Sequence, residues 1–267
     1  LRESRVFKLE IAPGHERKTT GSYYTPSDLV ECLLDTALDP VLDEAERAPD
    51  PVQALRDLKI CDPACGSGHF LLAAGRRVAR RLAQVRSTTR EPSPSDYQHT
   101  LREVIGRCLY GVDITEMAVE LCKVSLWMEA LEPGRPLSFL DHHIKQGNAL
   151  LGTTPELLAR GLPEDAFEEL TGDDPEVARL LKKRNRDERR GKAIGVQVTL
   201  GEAAATAGID MTPLARQVAA IDQSSDDDLP AVTAKARRYR EFVDSPAYRD
   251  ALFLADAWCA AFVWRKT

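Results

Sequence analysis

The sequence is short of several things, and each shortage narrows what the chain does. No run of about 18 apolar residues occurs, so it offers no membrane span, and no signal-peptide pattern opens it. Its six cysteines (Cys32, Cys61, Cys65, Cys108, Cys122, Cys259) form no Cys-x-x-Cys pair and no cluster with zinc-ligand spacing, so no metal is expected. Most stand in apolar segments and read as buried, reduced thiols of a cytoplasmic protein. No Gly-Lys-Ser or Gly-Lys-Thr is present, which excludes a phosphate loop. Positive charge is not in excess: 36 Lys and Arg against 42 Asp and Glu give a net charge of -6. That argues against a uniformly basic nucleic-acid surface, though not against a local patch. Asparagine occurs only at positions 148 and 185, and no two prolines are adjacent.

What is present reads as a folded α/β chain. A hydrophobic content of 43% with 29% charged residues fits a globular protein, and 267 residues suffice for one large domain or a domain with an insertion. The chain starts at Leu1 and stops in the apolar run Ala260-Ala261-Phe262-Val263-Trp264, so it reads as a piece of a larger protein.

The organising stretch is Asp62-Pro63-Ala64-Cys65-Gly66-Ser67-Gly68-His69-Phe70. Leu58-Lys59-Ile60-Cys61 before it reads as a buried strand, and Phe70-Leu71-Leu72-Ala73-Ala74 begins a helix. A strand, a glycine turn and a helix open a nucleotide-binding sheet, because the turn lets a ligand approach backbone amides without meeting a Cβ. Upstream, a strand is expected at Arg5-Val6-Phe7-Lys8-Leu9. Thr25-Pro26 with Asp28 is expected as N-cap, N1 and N3 of a helix whose face carries Leu29, Val30, Leu33, Leu34, Ala37 and Leu38, with Pro40 ending it.

Downstream, Leu71, Ala74, Val78, Leu82 and Val85 form a helical stripe with Arg76, Arg77, Arg80 and Arg81 mostly off it. After a loop at 86–96 and a short helix near 97–106, a second strand is expected over 108–114, ending in an acid. Met117, Leu121, Val124, Met128 and Leu131 recur at helical spacing until Pro133-Gly134. Ile144-Lys145-Gln146 is the third strand. The order β-α-β-α-β predicts a parallel sheet, so Asp62, Asp113 and Asn148 fall at or just past the ends of three strands that line one crevice. Asp113 lies too far beyond Gly68 for a dehydrogenase fingerprint, and Leu71 stands where its third glycine belongs.

Residues 153–192 are acidic and then basic, with the run Lys182–Lys192 carrying seven basic and two acidic side chains. Such a run is ordinarily a solvated face, and a phosphate contact is the sharper alternative. Residues 203–264 read as helical, with starts at Thr212-Pro213 and Leu229-Pro230 and an apolar face through Leu252, Ala255, Cys259, Phe262 and Val263.

Taken together, Gly21-Ser22-Tyr23-Tyr24-Thr25-Pro26, Asp62 to Phe70, Gly111-Val112-Asp113-Ile114 and Gly147-Asn148 resemble four successive motifs of the N6-adenine DNA methyltransferases. The likeness is strongest to the large single-chain enzymes of restriction-modification and BREX-like phage defence, and it spans about residues 15–152. It implies a Rossmann-like S-adenosylmethionine (SAM) methyltransferase core with an incomplete parallel sheet and a helical insertion. The expected division is an N-terminal segment (1–50), a SAM-binding core (51–152) and a mainly helical region (153–267). The resemblance implies that Thr25 contacts the methionine carboxylate between Tyr24 and Pro26, and that Asp62, Ala64, Gly66, Gly68 and Phe70 line the methionine end. It places Asp113 on the ribose, Ile114 on the adenine ring, and Asn148 with Ala149 at the adenine edge, where the family often has Asp. DNA is the implied partner of the full-length protein, alongside restriction or defence-complex subunits. The family's Asn/Asp-Pro-Pro-aromatic motif is absent, so no catalytic residue is assigned and the isolated chain is expected to be inactive. Cys65 and His69 are read as turn and helix-start residues rather than a nucleophile and its base. The rival readings are a non-catalytic scaffold or DNA-docking module, a methyltransferase acting on RNA, protein or a small molecule, and, for residues 153–267, a target-recognition domain.

Overall fold

The computed structural model describes residues 25–87, 91–190 and 211–267. Tyr24, the Gly-Ser-Tyr before it, the strand expected at 5–9, and Gly191 and Lys192 lie outside these residues. The chain divides into two units, residues 1–131 with 143–147 and residues 132–142 with 148–267.

The first unit holds α1 (Ser27–Ala37), α2 (Asp39–Glu46), α3 (Pro51–Arg56), β1 (Ile60–Asp62), α4 (His69–Arg86), α5 (Pro94–Arg107), β2 (Leu109–Asp113), α6 (Glu116–Glu129) and β3 (Ile144–Gln146). The strands form a parallel sheet in the order β1-β2-β3, in register at Ile60 with Leu109, Asp62 with Gly111, and Asp113 with Gln146. All three strands therefore run toward one edge, and Asp62 and Asp113 close two neighbours there. The stripe Leu71, Ala74, Val78 and Leu82 of α4 is buried, as its spacing predicts, together with Leu101 and Ile105 of α5 and Leu109 of β2.

Among the described residues, four of the five arginines of α4, all but Arg80, are bound to carboxylates. Arg77 pairs with Glu31, Asp35 (2.6 Å) and Asp39 (3.0 Å), and Arg81 with Asp43 (3.2 Å) and Glu46 (3.0 Å), so two side chains tie α1 and α2 to α4. Arg76 meets Glu129 of α6 through two hydrogen bonds of 2.7 Å, and Arg86 meets Glu103 of α5 at 2.6 Å.

Several local expectations need correction. Pro26, not Thr25, is the N-cap of α1; its carbonyl accepts from Leu29 and Val30, and no side chain caps the helix. Pro40 does not end helical structure but sits in the first turn of α2, where its missing N–H costs nothing. On α1 the buried residues are Val30 and Leu34, while Leu29 and Leu33 are exposed. On α6 the stripe of Met117, Leu121, Val124 and Met128 faces outward, and Val119, Cys122 and Leu126 are the buried ones.

The second unit contains α7 (Pro155–Ala159), a 3-10 turn (Glu164–Phe167), α8 (Pro175–Arg189), α9 (Met211–Asp222), α10 (Leu229–Val243) and α11 (Pro246–Val263). Leu214, Ile221 and Phe242 make one core, with Val218, Tyr239, Val243 and Tyr248 packed against it. Phe139 and His142 stack at 5.2 Å, His142 meets Asp222 at 3.0 Å, and buried Lys235 pairs with Asp226 at 3.2 Å. The inner residues of α11 are Leu254 and Trp258, whereas Leu252 and Val263 of the expected face are exposed. Among the described residues no helix is long and apolar enough to cross a membrane.

Candidate cofactor site

The turn after β1 is built from its ends inward. The amide of Cys65 donates to the Val112 carbonyl (2.9 Å) and that of Gly68 to the Cys65 carbonyl (2.8 Å), which locks the turn against β2. Gly66 and Gly68 both have positive φ, 52° and 86°, a region that L side chains enter at a cost. The two glycines do different jobs. A Cβ on Gly68 would meet the Cys122 sulfur of α6 at 2.8 Å, whereas a Cβ on Gly66 would meet nothing within 4 Å. Gly68 therefore lets α4 start hard against α6, and Gly66 leaves its outer side open.

Asp113 joins the strand ends. One carboxylate oxygen accepts from the Gly66 amide and the other from the Thr115 amide, both at 2.9 Å. Each oxygen keeps a lone-pair direction for a further donor. Asp62 accepts from the Ala64 amide at 3.0 Å. Burial pushes the Asp62 carboxyl above the usual carboxylate range; the Ala64 amide pulls it back, and the neighbouring Asp113 charge adds to the rise. The α4 N-terminus follows directly, and Gly68 supplies no side chain to cap it. Two carboxylates, an open glycine and uncapped helix amides thus converge at one sheet edge. That set can take a ligand carrying both hydroxyls and a cation, and it is polar enough to orient one.

Of the expected site residues, the structure brings Asp62, Ala64, Gly66, Gly68 and Asp113 together. Ile114 follows Asp113, is 66% exposed, and has its carbonyl bonded by Gln146 at 3.3 Å. Phe70 lines an apolar cavity of about 400 Å³ with Leu33, Leu34 and Leu38 of the first helical segment, Ile60 and Asp62 of β1, and Leu71. Thr25 is half-buried just before α1, and its hydroxyl makes no hydrogen bond among the described residues; Pro26 is exposed beside it. Asn148 and Ala149 belong to the second unit, where the Asn148 carboxamide oxygen accepts from the Leu150 amide at 3.0 Å.

Cys65 is buried beneath the turn with its thiol against Cys122, in keeping with a turn residue. The hydrogen bond to Cys65, and then burial, hold the Cys122 thiol far above the ordinary thiol range. Sequence reasoning missed three contributors. Thr115 was signalled by the Asp-x-Thr spacing of an Asx turn. Cys122 and Gln146 carried no local signal.

Comparison with known proteins agrees with the motifs. Residues 42–135 match the family model described as the MmeI DNA-methyltransferase domain. A protein of Methanocaldococcus jannaschii named as a type II restriction enzyme and methyltransferase is 27% identical over 191 residues, covering 56% of this chain and 16% of that protein. The adenine-specific methyltransferase PglX of Streptomyces coelicolor is 31% identical over 115 residues, covering 43% of this chain and 8% of that protein. The chain thus spans less than a fifth of either relative. No solved structure matches it. Residues 42–135, which include the glycine turn, Asp62 and Asp113, are thus similar to the MmeI DNA-methyltransferase domain.

Proposed function

We propose that this chain is the SAM-binding part of an enzyme that methylates adenine at N6 in DNA, built on a Rossmann-like core. The observation that carries the reading is the Asp113 carboxylate. It is held by the Gly66 and Thr115 amides at the tip of β2, with free acceptor capacity beside an open glycine turn. The residues fit the cofactor, which supplies an electrophilic methyl group on a sulfonium. Asp113 accepts from the ribose hydroxyls and Ile114 packs on the adenine. Asp62 holds the ammonium through a charge-assisted hydrogen bond, while the Gly66 and Gly68 backbone, Ala64 and Phe70 wall the methionine end. Thr25, flanked by Tyr24 and Pro26, binds the carboxylate.

The acceptor side belongs to the rest of the protein, since these residues include no Asn-Pro-Pro-aromatic to polarise and stack a flipped adenine. Rate then comes from aligning the target amine with the methyl carbon rather than from a strong base. A cytoplasmic setting and a role in restriction-modification or phage defence, with the partner subunits such systems use, follow from the same reading.

The test is methyl transfer from labelled SAM to duplex DNA by the full-length protein, with digestion and mass analysis of the nucleosides. N6-methyladenine is expected, abolished by Asp113→Ala, with no product from the 267-residue chain alone. Label on cytosine, or on RNA or protein instead of DNA, would overturn the assignment.

A further inference from the structure

The second unit carries a basic surface that the cofactor reading does not use. On α8, Arg179, Lys182, Lys183, Arg186 and Arg189 fall along one side of the helix, with Arg190 at the C-cap. At 3.6 residues per turn these six side chains occupy about a third of the helix circumference and extend over about 16 Å. Arg186 is engaged by Glu164 through two hydrogen bonds, 3.0 and 2.8 Å, and Lys182 and Arg189 also act on that carboxylate. Glu176 and Asp187 flank the stripe. Among the described residues, Arg179, Lys182, Lys183, Arg189 and Arg190 make no ion pair.

The contrast within the chain is what makes the stripe informative. On α4, Arg76, Arg77, Arg81 and Arg86 each find a carboxylate, in a protein whose net charge is -6. On α8 most cations go without, although acids outnumber bases overall. The helix dipole accounts for cations at the C-terminal turn, Arg186 and Arg189, but not for Arg179, Lys182 and Lys183 further back. The helix is fixed in place along one edge of the stripe. Ala178 is buried, Asn185 donates to the Leu162 carbonyl at 3.0 Å, and Asp174 caps the helix through the Glu176 amide at 2.8 Å. Arg179, Lys183, Arg186, Arg189 and Arg190 are exposed and Lys182 is half-buried, so most of the stripe faces outward on an anchored helix.

We propose that α8 is a docking surface for the phosphate backbone of duplex DNA. A row of this length reaches about three or four phosphates and gives affinity without sequence readout. The choice of DNA rests on the proposed function, and the experiment separates the two. Binding of the 267-residue chain to a fluorescein-labelled 20-base-pair duplex is followed by anisotropy across a salt series, and SAM binding is measured in parallel by calorimetry. The variant R179Q/K182Q/K183Q is compared with R237Q/R238Q/R240Q, which removes the same charge from exposed positions of α10. The α8 variant should bind about tenfold more weakly, with a log–log salt slope lower by about two to three, while the α10 variant changes about threefold at most. Circular dichroism should show unchanged helix content in both. Equal losses in the two variants would overturn the proposal, as would an unchanged slope. So would a chain that binds SAM but not DNA, and that outcome leaves the cofactor reading standing. DNA binding through α8 without SAM binding would do the reverse.

Discussion

At the scale of single residues, the candidate site is a pair of carboxylates under unequal constraint. Asp113 is braced by two amides, whereas Asp62 is half-buried near it and receives one. Because burial raises the folded-state pKa of Asp62 above its unfolded value, the fold favours the protonated form. The contribution of Asp62 to stability is therefore fully present below the unfolded carboxylate pKa and is lost as pH rises through the raised value. Asp62→Asn removes that loss. It should leave the cofactor-free chain at least as stable as wild type at pH 7, with the two converging at acid pH where both side chains are neutral. SAM affinity should fall about tenfold to a hundredfold, the worth of a hydrogen bond to a charged group. A variant less stable than wild type at neutral pH in a urea titration would show that Asp62 is held by contacts other than those described. Both acids were legible in the sequence, since each closes an apolar run before a turn. Thr25 was legible only as a helix start, and there the cap fell to Pro26 because the proline carbonyl takes the first intrahelical bonds.

At the scale of elements, the strand–turn–helix unit depends on two glycines for separate reasons, which substitution can tell apart. Gly66→Ala adds a methyl group to open space at positive φ and should cost about 1 kcal/mol. Gly68→Ala adds the same backbone strain and drives the methyl onto the Cys122 sulfur, for a total of about 2–4 kcal/mol. Equal urea midpoints for the two variants would contradict the account of Gly68 as the contact point between α4 and α6. The sequence predicted this turn because its chemistry is local. It did not predict Cys122 as the neighbour, because that contact joins residues 54 apart in the chain. The same limit explains α6. Its apolar residues lie on both sides, Val119, Cys122 and Leu126 opposite Met117, Leu121, Val124 and Met128, so periodicity marks a helix without choosing the face that is buried. The arginines of α4 and α8 look alike as text; only the folded partners of α4 distinguish a tie between helices from a stripe that is mostly without ion pairs.

At the scale of the whole molecule, the parallel sheet with Asp62 and Asp113 at the ends of neighbouring strands followed from the alternation of strands and helices between residues 58 and 148. That alternation is the information a right-handed crossover needs. The helical second unit was legible as helices but not as a packed unit, because its core of Leu214, Ile221 and Phe242 draws on segments well separated in sequence. The proposed function depends on the cofactor entering at Asp62, Gly66 and Asp113. The most direct measurement is a calorimetric titration of SAM into this chain and into its Asp113→Asn variant, which keeps the side-chain shape and removes the charge. The account predicts one-site binding to the wild type and a loss of about tenfold or more in the variant. No heat from the wild type at millimolar cofactor, or equal affinity in the two proteins, would contradict it.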